Sequence, residues 1–377
     1  MPTLTSPAPS PQTNGMIHRS STKIGSDDPL PLTVNEISPD WFSKILGKKV
    51  EQVTIVDSLH GTASKILVLL SYENPADEPT TLCVKGGFNP AILALHPSLF
   101  HVYWLEAVFY HHLGPIVNLR LPPSHYCGTH AESGQGIVVL SDLKADGYTF
   151  GDPLQPWPVS RVRGGVEQLA ILHAKTWGHK AEDFQLSAAF SLRDVITSLM
   201  LPSEWDKRFT GEAKPPVADY LVDRERIVAA FQTLWNTSDS KMNCVVHGDA
   251  HIGNTFVTPA GEPGFLDWQG VHAGSAIHDV AYFIIGSLSV EDRRKNEVEL
   301  FEYYLKTLHE KGGPRFEKDE VWEEYRKHTF HGFAWALASP LMQSQEIVDT
   351  MSARHSAAIV DHKSLELLET LAARRPE

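Results

Sequence analysis

Apolar positions change period along this chain, and the change divides it. From residue 50 to 85 they fall in short β-rich runs: VEQVTIVD at 50–57, KILVLLSY at 65–72 and TTLCVK at 80–85. A turn at 59–64 and the polar stretch ENPADEP at 73–79 separate them, so three strands are predicted. Before them, Ser38-Pro39-Asp40 ahead of Trp41-Phe42 reads as a helix start, and Gly47 as its stop. After Pro97 the period becomes helical, with Leu99, Val102, Phe109 and Leu113 on one stripe. One position on that stripe, Glu106, is a carboxylate. Pro122-Pro123 interrupts the chain, and a glycine-rich turn at 133–136 feeds an apolar strand over 137–140. Beyond residue 141 the pattern is mainly helical, at about 161–178, 217–236, 290–311, 319–338 and 354–373. Gly312-Gly313-Pro314 marks one boundary, while residues 180–215 fit no single period.

The pattern predicts an α+β chain of two lobes: a small β-rich lobe at 31–140 and a larger helical lobe at 141–377. Residues 1–30 hold five Pro, five Ser and four Thr with no aromatic residue, and are expected to form a disordered arm. At 42% apolar and 21% charged, the chain as a whole can bury a large core. The formal net charge of −13 would repel a phosphate backbone on average, which argues against a general nucleic-acid binder. No window is apolar enough to predict a membrane span. The three cysteines, Cys83, Cys127 and Cys244, lie far apart without a CxxC, so a reducing, cytoplasmic setting is expected.

The segment richest in chemistry is Val245-Val246-His247-Gly248-Asp249-Ala250-His251-Ile252-Gly253-Asn254. A short apolar run leads into a polar turn, and Asn254 follows Asp249 by five residues, the spacing of the protein-kinase catalytic loop. There the aspartate orients an attacking hydroxyl and accepts its proton, while the asparagine oxygen holds Mg²⁺. Thirteen residues past Asn254 stands Asp267, with the turn-forming stretch 258–264 between them. A hairpin would bring Asn254 and Asp267 together as two oxygen donors for Mg²⁺. A lone carboxylate on an apolar helix stripe is costly, so Glu106 needs a cation. Lys85, at the end of the preceding strand, is placed to supply it and to meet nucleotide phosphates.

These residues make the chain similar to the aminoglycoside-phosphotransferase and choline-kinase-like superfamily, and within it to the ecdysteroid-kinase-like branch. The match rests on Lys85, Glu106, the segment 247–254, Asp267-Trp268-Gln269, His278-Asp279-Val280-Ala281-Tyr282 and Leu169-Ala170-Ile171-Leu172-His173-Ala174. The resemblance spans about residues 40–340 and implies a protein-kinase-like bilobal fold with ATP bound between the lobes. It places the adenine against a hinge at Leu140-Ser141-Asp142-Leu143 and assigns Asp279 to support of the catalytic loop. The implied activity is transfer of the γ-phosphoryl group of ATP to the hydroxyl of a small molecule. One departure stands out: no GxGxxG precedes the Lys85 strand, only Gly61-Thr62-Ala63-Ser64. Phosphate cradling would fall to the backbone and hydroxyls there, at Gly61, Thr62 and Ser64.

Two other functions compete. His247-x-Asp249-x-His251 alternates as a zinc-ligating strand could, which would make a metal-dependent hydrolase. That reading leaves Asn254, Lys85 and Glu106 without a role. A non-catalytic nucleotide-binding protein on the same fold is the other alternative. Of the aromatic residues, Trp157, Trp177, Trp205 and Trp335 could face an acceptor or belong to the core.

Overall fold

The computed structural model describes residues 24–26, 29–89, 93–94, 99–180, 183, 192–211, 214–338 and 342–374. Most of the arm expected at 1–30 and part of the segment 180–215 lie outside the described residues.

The first lobe is built on a five-stranded antiparallel sheet in the order β1-β2-β3-β5-β4. The strands are β1 (Val50–His60), β2 (Ser64–Tyr72), β3 (Thr81–Gly86), β4 (Ser124–Thr129) and β5 (Gly136–Ser141). Alternation along β2 buries Ile66, Val68 and Leu70 with Leu82, Val84, Ile137, Val139 and Phe42 on one face. Phe42 comes from the helix Pro39–Leu46, whose first turn is capped by the Ser38 hydroxyl accepting the Trp41 N–H at 3.2 Å. The opposite face of the sheet carries Lys65, Leu67, Cys83, Lys85 and Leu140 and looks into a cleft. Strand β4 is absent from the sequence reading, because SHYCGT has no apolar alternation.

The helix bearing Glu106 spans Phe100–Val108 and packs against β5. It continues through a π-helical turn at Phe109–Leu113 and a short helix at Gly114–Val117.

The second lobe is helical around two small sheets. Strand β7 (Asn243–Val246) pairs with β10 (His272–Ser275), and β8 (Thr255–Val257) lies between β6 (Thr149–Phe150) and β9 (Pro263–Phe265). The turn expected at 258–264 joins β8 to β9, with Thr255 opposite Phe265. Three expected long helices are broken, that of 319–338 into Lys318–His328, a 3-10 turn at Thr329–Phe333 and Ala334–Leu337. Residues 217–236 fold as a short turn at Asp219–Leu221 and a helix Arg224–Asn236. The last stretch forms Gln345–His362 and Ser364–Ala373, divided at Lys363 with φ +50. Polar spacing on a buried helix conceals such breaks, since both sides of the break keep the same period.

The core of this lobe is the packing of helix Val159–Thr176 against helices Ala276–Ser287 and Val290–Glu310. The helix Ala276–Ser287, all but one of whose residues are buried, was not resolved as an element by the sequence reading. Its close approach depends on Gly165, where an added Cβ would lie 2.3 Å from the Phe283 ring. Gly165→Ala is therefore expected to lower the unfolding free energy by roughly 1–3 kcal/mol, the usual cost of overpacking, measured by urea denaturation. A variant as stable as the parent would show that the two helices can separate without loss.

Candidate active site

Three chain segments meet at Lys85. Its ammonium lies 2.8 Å from a carboxylate oxygen of Glu106 and 2.9 Å from Oδ1 of Asp267. Lys85 is 5% exposed and Glu106 2%, so the cation and its partner are both withdrawn from water. Glu106 also accepts the Trp268 N–H at 3.2 Å, which ties the helix to the segment following Asp267. Trp268 stacks on Phe109 from the same helix, with centroids 3.8 Å apart and planes 6° from parallel. Burial alone would push the Lys85 ammonium down, but the charges of Asp267 and Glu106 outweigh it and hold its pKa above the ordinary value. Burial would likewise raise Asp267, yet Lys85 and then Lys65 hold its carboxyl below the usual range.

Asp267 has φ +67, a left-handed conformation that aspartate tolerates better than most residues. The β8–β9 hairpin delivers it beside Asn254, since the Leu266 N–H donates to the Asn254 carbonyl at 3.0 Å. The Asn254 amide nitrogen donates to Asp249, to its backbone oxygen at 3.0 Å and to its carboxylate at 3.1 Å. The amide oxygen of Asn254 is then the atom left for another partner. Asp249 keeps a half-open side chain, 42% exposed, with the His251 ring 3.7 Å from its carboxylate. Burial first and then the charge of nearby Asp249 push the Tyr282 hydroxyl well above the ordinary phenol value.

The loop holding Asp249 is fixed from beneath. The Asp279 carboxylate, fully buried, accepts the N–H groups of His247 at 2.6 Å and Gly248 at 3.0 Å, and faces His173 Nε2 at 3.3 Å. His173 in turn meets the Tyr304 hydroxyl at 2.9 Å. Burial would raise Asp279, but the His173 hydrogen bond and the surrounding imidazoles hold it far below the ordinary carboxylate value. Gly248 has φ +83, and an added Cβ would lie 2.1 Å from the Gly270 carbonyl. The glycine in His-Gly-Asp is thus a requirement of backbone approach.

A cleft of about 320 Å³ opens between the lobes. Lys85, Glu106 and Asp267 line it with Leu140, Asp142 and Leu143 of the expected hinge. Gly61, Thr62 and Ser64 are not among its lining residues. The Ser64 hydroxyl points to the His60 ring at 2.9 Å and is buried with the opposite face of β2, while the Thr62 carbonyl accepts the Tyr103 hydroxyl. Strand parity separates Ser64 from Lys65, which does line the cleft and which the sequence reading passed over. A second cavity of about 260 Å³ lies beside strand β10 and His278. Arg193, Trp235, His272, His278, His328 and His331 line it, with no carboxylate among its lining residues, and His278 bonds the Gly248 carbonyl.

The alternation at His247, Asp249 and His251 does not form a metal cluster. Both His247 nitrogens are engaged, with the Leu266 carbonyl and with the Asp249 N–H. No group of three His, Cys, Asp or Glu placed to hold a metal occurs among the described residues. Trp157 and Trp205 belong to hydrophobic cores, and Trp177 packs on one edge. Trp335, at 5.2 Å from the His251 ring, stands beside the loop.

The match to the family model of the ecdysteroid kinase-like family covers residues 106–312, over half of the chain. The chain belongs to this family. Its own elements give the expected α+β architecture of a sheet-based lobe and a helical lobe. No curated protein matches it. Among solved structures, it is similar to a choline/ethanolamine kinase family protein from Mesorhizobium loti at 13% identity and a TM-score of 0.49, over 86% of this chain and 93% of that one. A choline kinase from Streptococcus pneumoniae aligns at 14% identity and 0.44, over 83% and 97% of the two chains. An ethanolamine kinase from Plasmodium vivax aligns at 14% and 0.47, over 81% and 82%.

The Asp279 network makes a pH test. A carboxyl whose pKa is lowered by folding contributes stability above its unfolded value, and that contribution fades as pH falls. Asp279→Asn is expected to cost roughly 2–3 kcal/mol at pH 7, as hydrogen bonds to a buried charge typically do. The gap from the parent should narrow below about pH 4, near the unfolded aspartate value. A gap constant from pH 7 to pH 3, measured by urea unfolding, would contradict the assignment of charge to Asp279.

Proposed function

We propose that the protein is an ATP- and Mg²⁺-dependent phosphotransferase that moves the γ-phosphoryl group to a hydroxyl of a small molecule. The observation carrying this reading is the bonding of one buried ammonium, Lys85, to both Glu106 and Asp267. Asp267 sits on the hairpin whose other arm begins at Asn254, beside Asp249. Lys85 would grip the α/β-phosphates, and Glu106 would hold Lys85 in place. The adenine would lie against the backbone at Leu140, Asp142 and Leu143, between the apolar side chains of Leu67 and Leu140.

The donors of Asn254 and Asp267 are an amide oxygen and a carboxylate, a hard oxygen set that suits Mg²⁺. Bound there, the ion would neutralise charge on the phosphate oxygens. Asp249 would orient the acceptor hydroxyl and take its proton as the new P–O bond forms and the bond to the departing ADP oxygen breaks. The Asn254 amide restrains its carboxylate, so alignment is set before the acceptor arrives.

An ADP-release assay over neutral alcohols and amino alcohols is expected to find an acceptor that is turned over. With that acceptor, Asp249→Ala should fold and bind ATP normally while kcat drops by roughly 10²–10⁴-fold, the range for a lost general base. Parent-like turnover would remove Asp249 from the chemistry, and ATP binding without transfer to any acceptor would favour the non-catalytic alternative.

The metal assignment has its own readout. Parent protein should melt higher with Mg²⁺ and ATP than with ATP and a chelator. Asp267→Ala should lose that difference, and an unchanged shift would contradict the assignment of Asp267 to the metal.

A further inference from the structure

Within that reading, we propose that Lys65 is a second phosphate-binding cation of the cleft, holding the β- and γ-phosphates across from Lys85. The argument begins with strand register. β2 and β3 pair antiparallel with Lys65 directly opposite Lys85, and both side chains line the cleft. Like charges directly opposite one another weaken a sheet. The neighbours on that face, Leu67 and Cys83, show that apolar or small residues fit there. A cation at this position is drawn to the anions of the cleft, to Asp267 and to an entering phosphate.

The protein supplies part of that negative charge. Glu106 and Asp267 are both bonded to Lys85. Lys65 makes no hydrogen bond or ion pair with any described residue; it acts on Asp267 only through its field. If Asp267 is drawn to a metal ion, Lys85 loses one counter-charge and the facing cations are left with Glu106 alone. A polyphosphate restores the balance, and two lysines on adjacent strands can grip it from two sides.

The turn before β2 makes the same demand from another direction. The chain lacks a glycine-rich phosphate loop, and the hydroxyl of Ser64 is turned to His60, away from the cleft. Lys65, the next residue, therefore presents the first polar side chain of β2 to the cleft. It supplies as a point charge what a glycine-rich turn would supply through backbone N–H groups.

The test is calorimetric titration of AMP, ADP and ATP, with Mg²⁺ and no acceptor, into the full chain and its Lys65→Met and Lys65→Arg variants. Lys65→Met should weaken ADP and ATP by about tenfold or more, the effect of losing one hydrogen bond to a charged group, while AMP binds as in the parent. Lys65→Arg should retain most of the ADP and ATP affinity. Parent-like ATP affinity in the Met variant would overturn the proposal, and so would an equal loss for AMP and ATP, which would mark a structural role. A parent protein that binds no adenine nucleotide would instead sink the phosphotransferase reading.

Discussion

The architecture depends on one buried ion cluster. An ammonium withdrawn from water near the end of a strand would be intolerable alone, and its two carboxylate partners come from other parts of the chain. Glu106 arrives on a helix whose apolar stripe is otherwise unbroken, and Asp267 arrives on a hairpin from the opposite lobe. Each charge is costly without the others, so the cluster fixes how the sheet, the helix and the hairpin sit together. The Trp268 N–H and the Phe109–Trp268 stack reinforce the same junction.

A second buried charge does the corresponding work below the cleft. Asp279 gathers the backbone N–H groups of His247 and Gly248 and shapes the turn that presents Asp249. The division of labour is plain in the burial. Asp279 is sealed and structural, while Asp249 stays half open, as the proposed approach of an acceptor requires. Two aspartates on neighbouring elements thus have opposite surroundings, one sealed on backbone N–H groups and the other with an exposed oxygen.

Much of this was legible before any coordinates, for identifiable reasons. A carboxylate on an apolar stripe announces a partner, and a fixed Asp-to-Asn spacing followed by a hairpin turn brings two oxygen donors together whatever surrounds them. Strands β2, β3 and β5 and the helix Val159–Thr176 followed from period alone. The turn hydroxyls did not, because parity within a strand depends on where the strand begins. Reading Ser64 as a phosphate ligand overlooked that it shares the buried face of Ile66 and Val68, and that Lys65 takes the open one. Strand β4 and the nearly all-buried helix Ala276–Ser287 escaped for complementary reasons: one lacks alternation, and the other is apolar on nearly every side.

The central claim is that Lys85, Asp267, Asn254 and Asp249 serve one bound triphosphate, with Asp267 exchanging its ammonium partner for a metal ion. The most direct measurement is a crystal structure with Mg²⁺ and a non-hydrolysable ATP analogue. The expected result has the Lys85 ammonium within hydrogen-bond distance of α- or β-phosphate oxygens, Asn254 and Asp267 on the metal, and the terminal phosphate facing Asp249. A nucleotide bound outside the cleft, or one seated there with Lys85 still closed on Asp267 and no metal beside Asn254, would contradict the account.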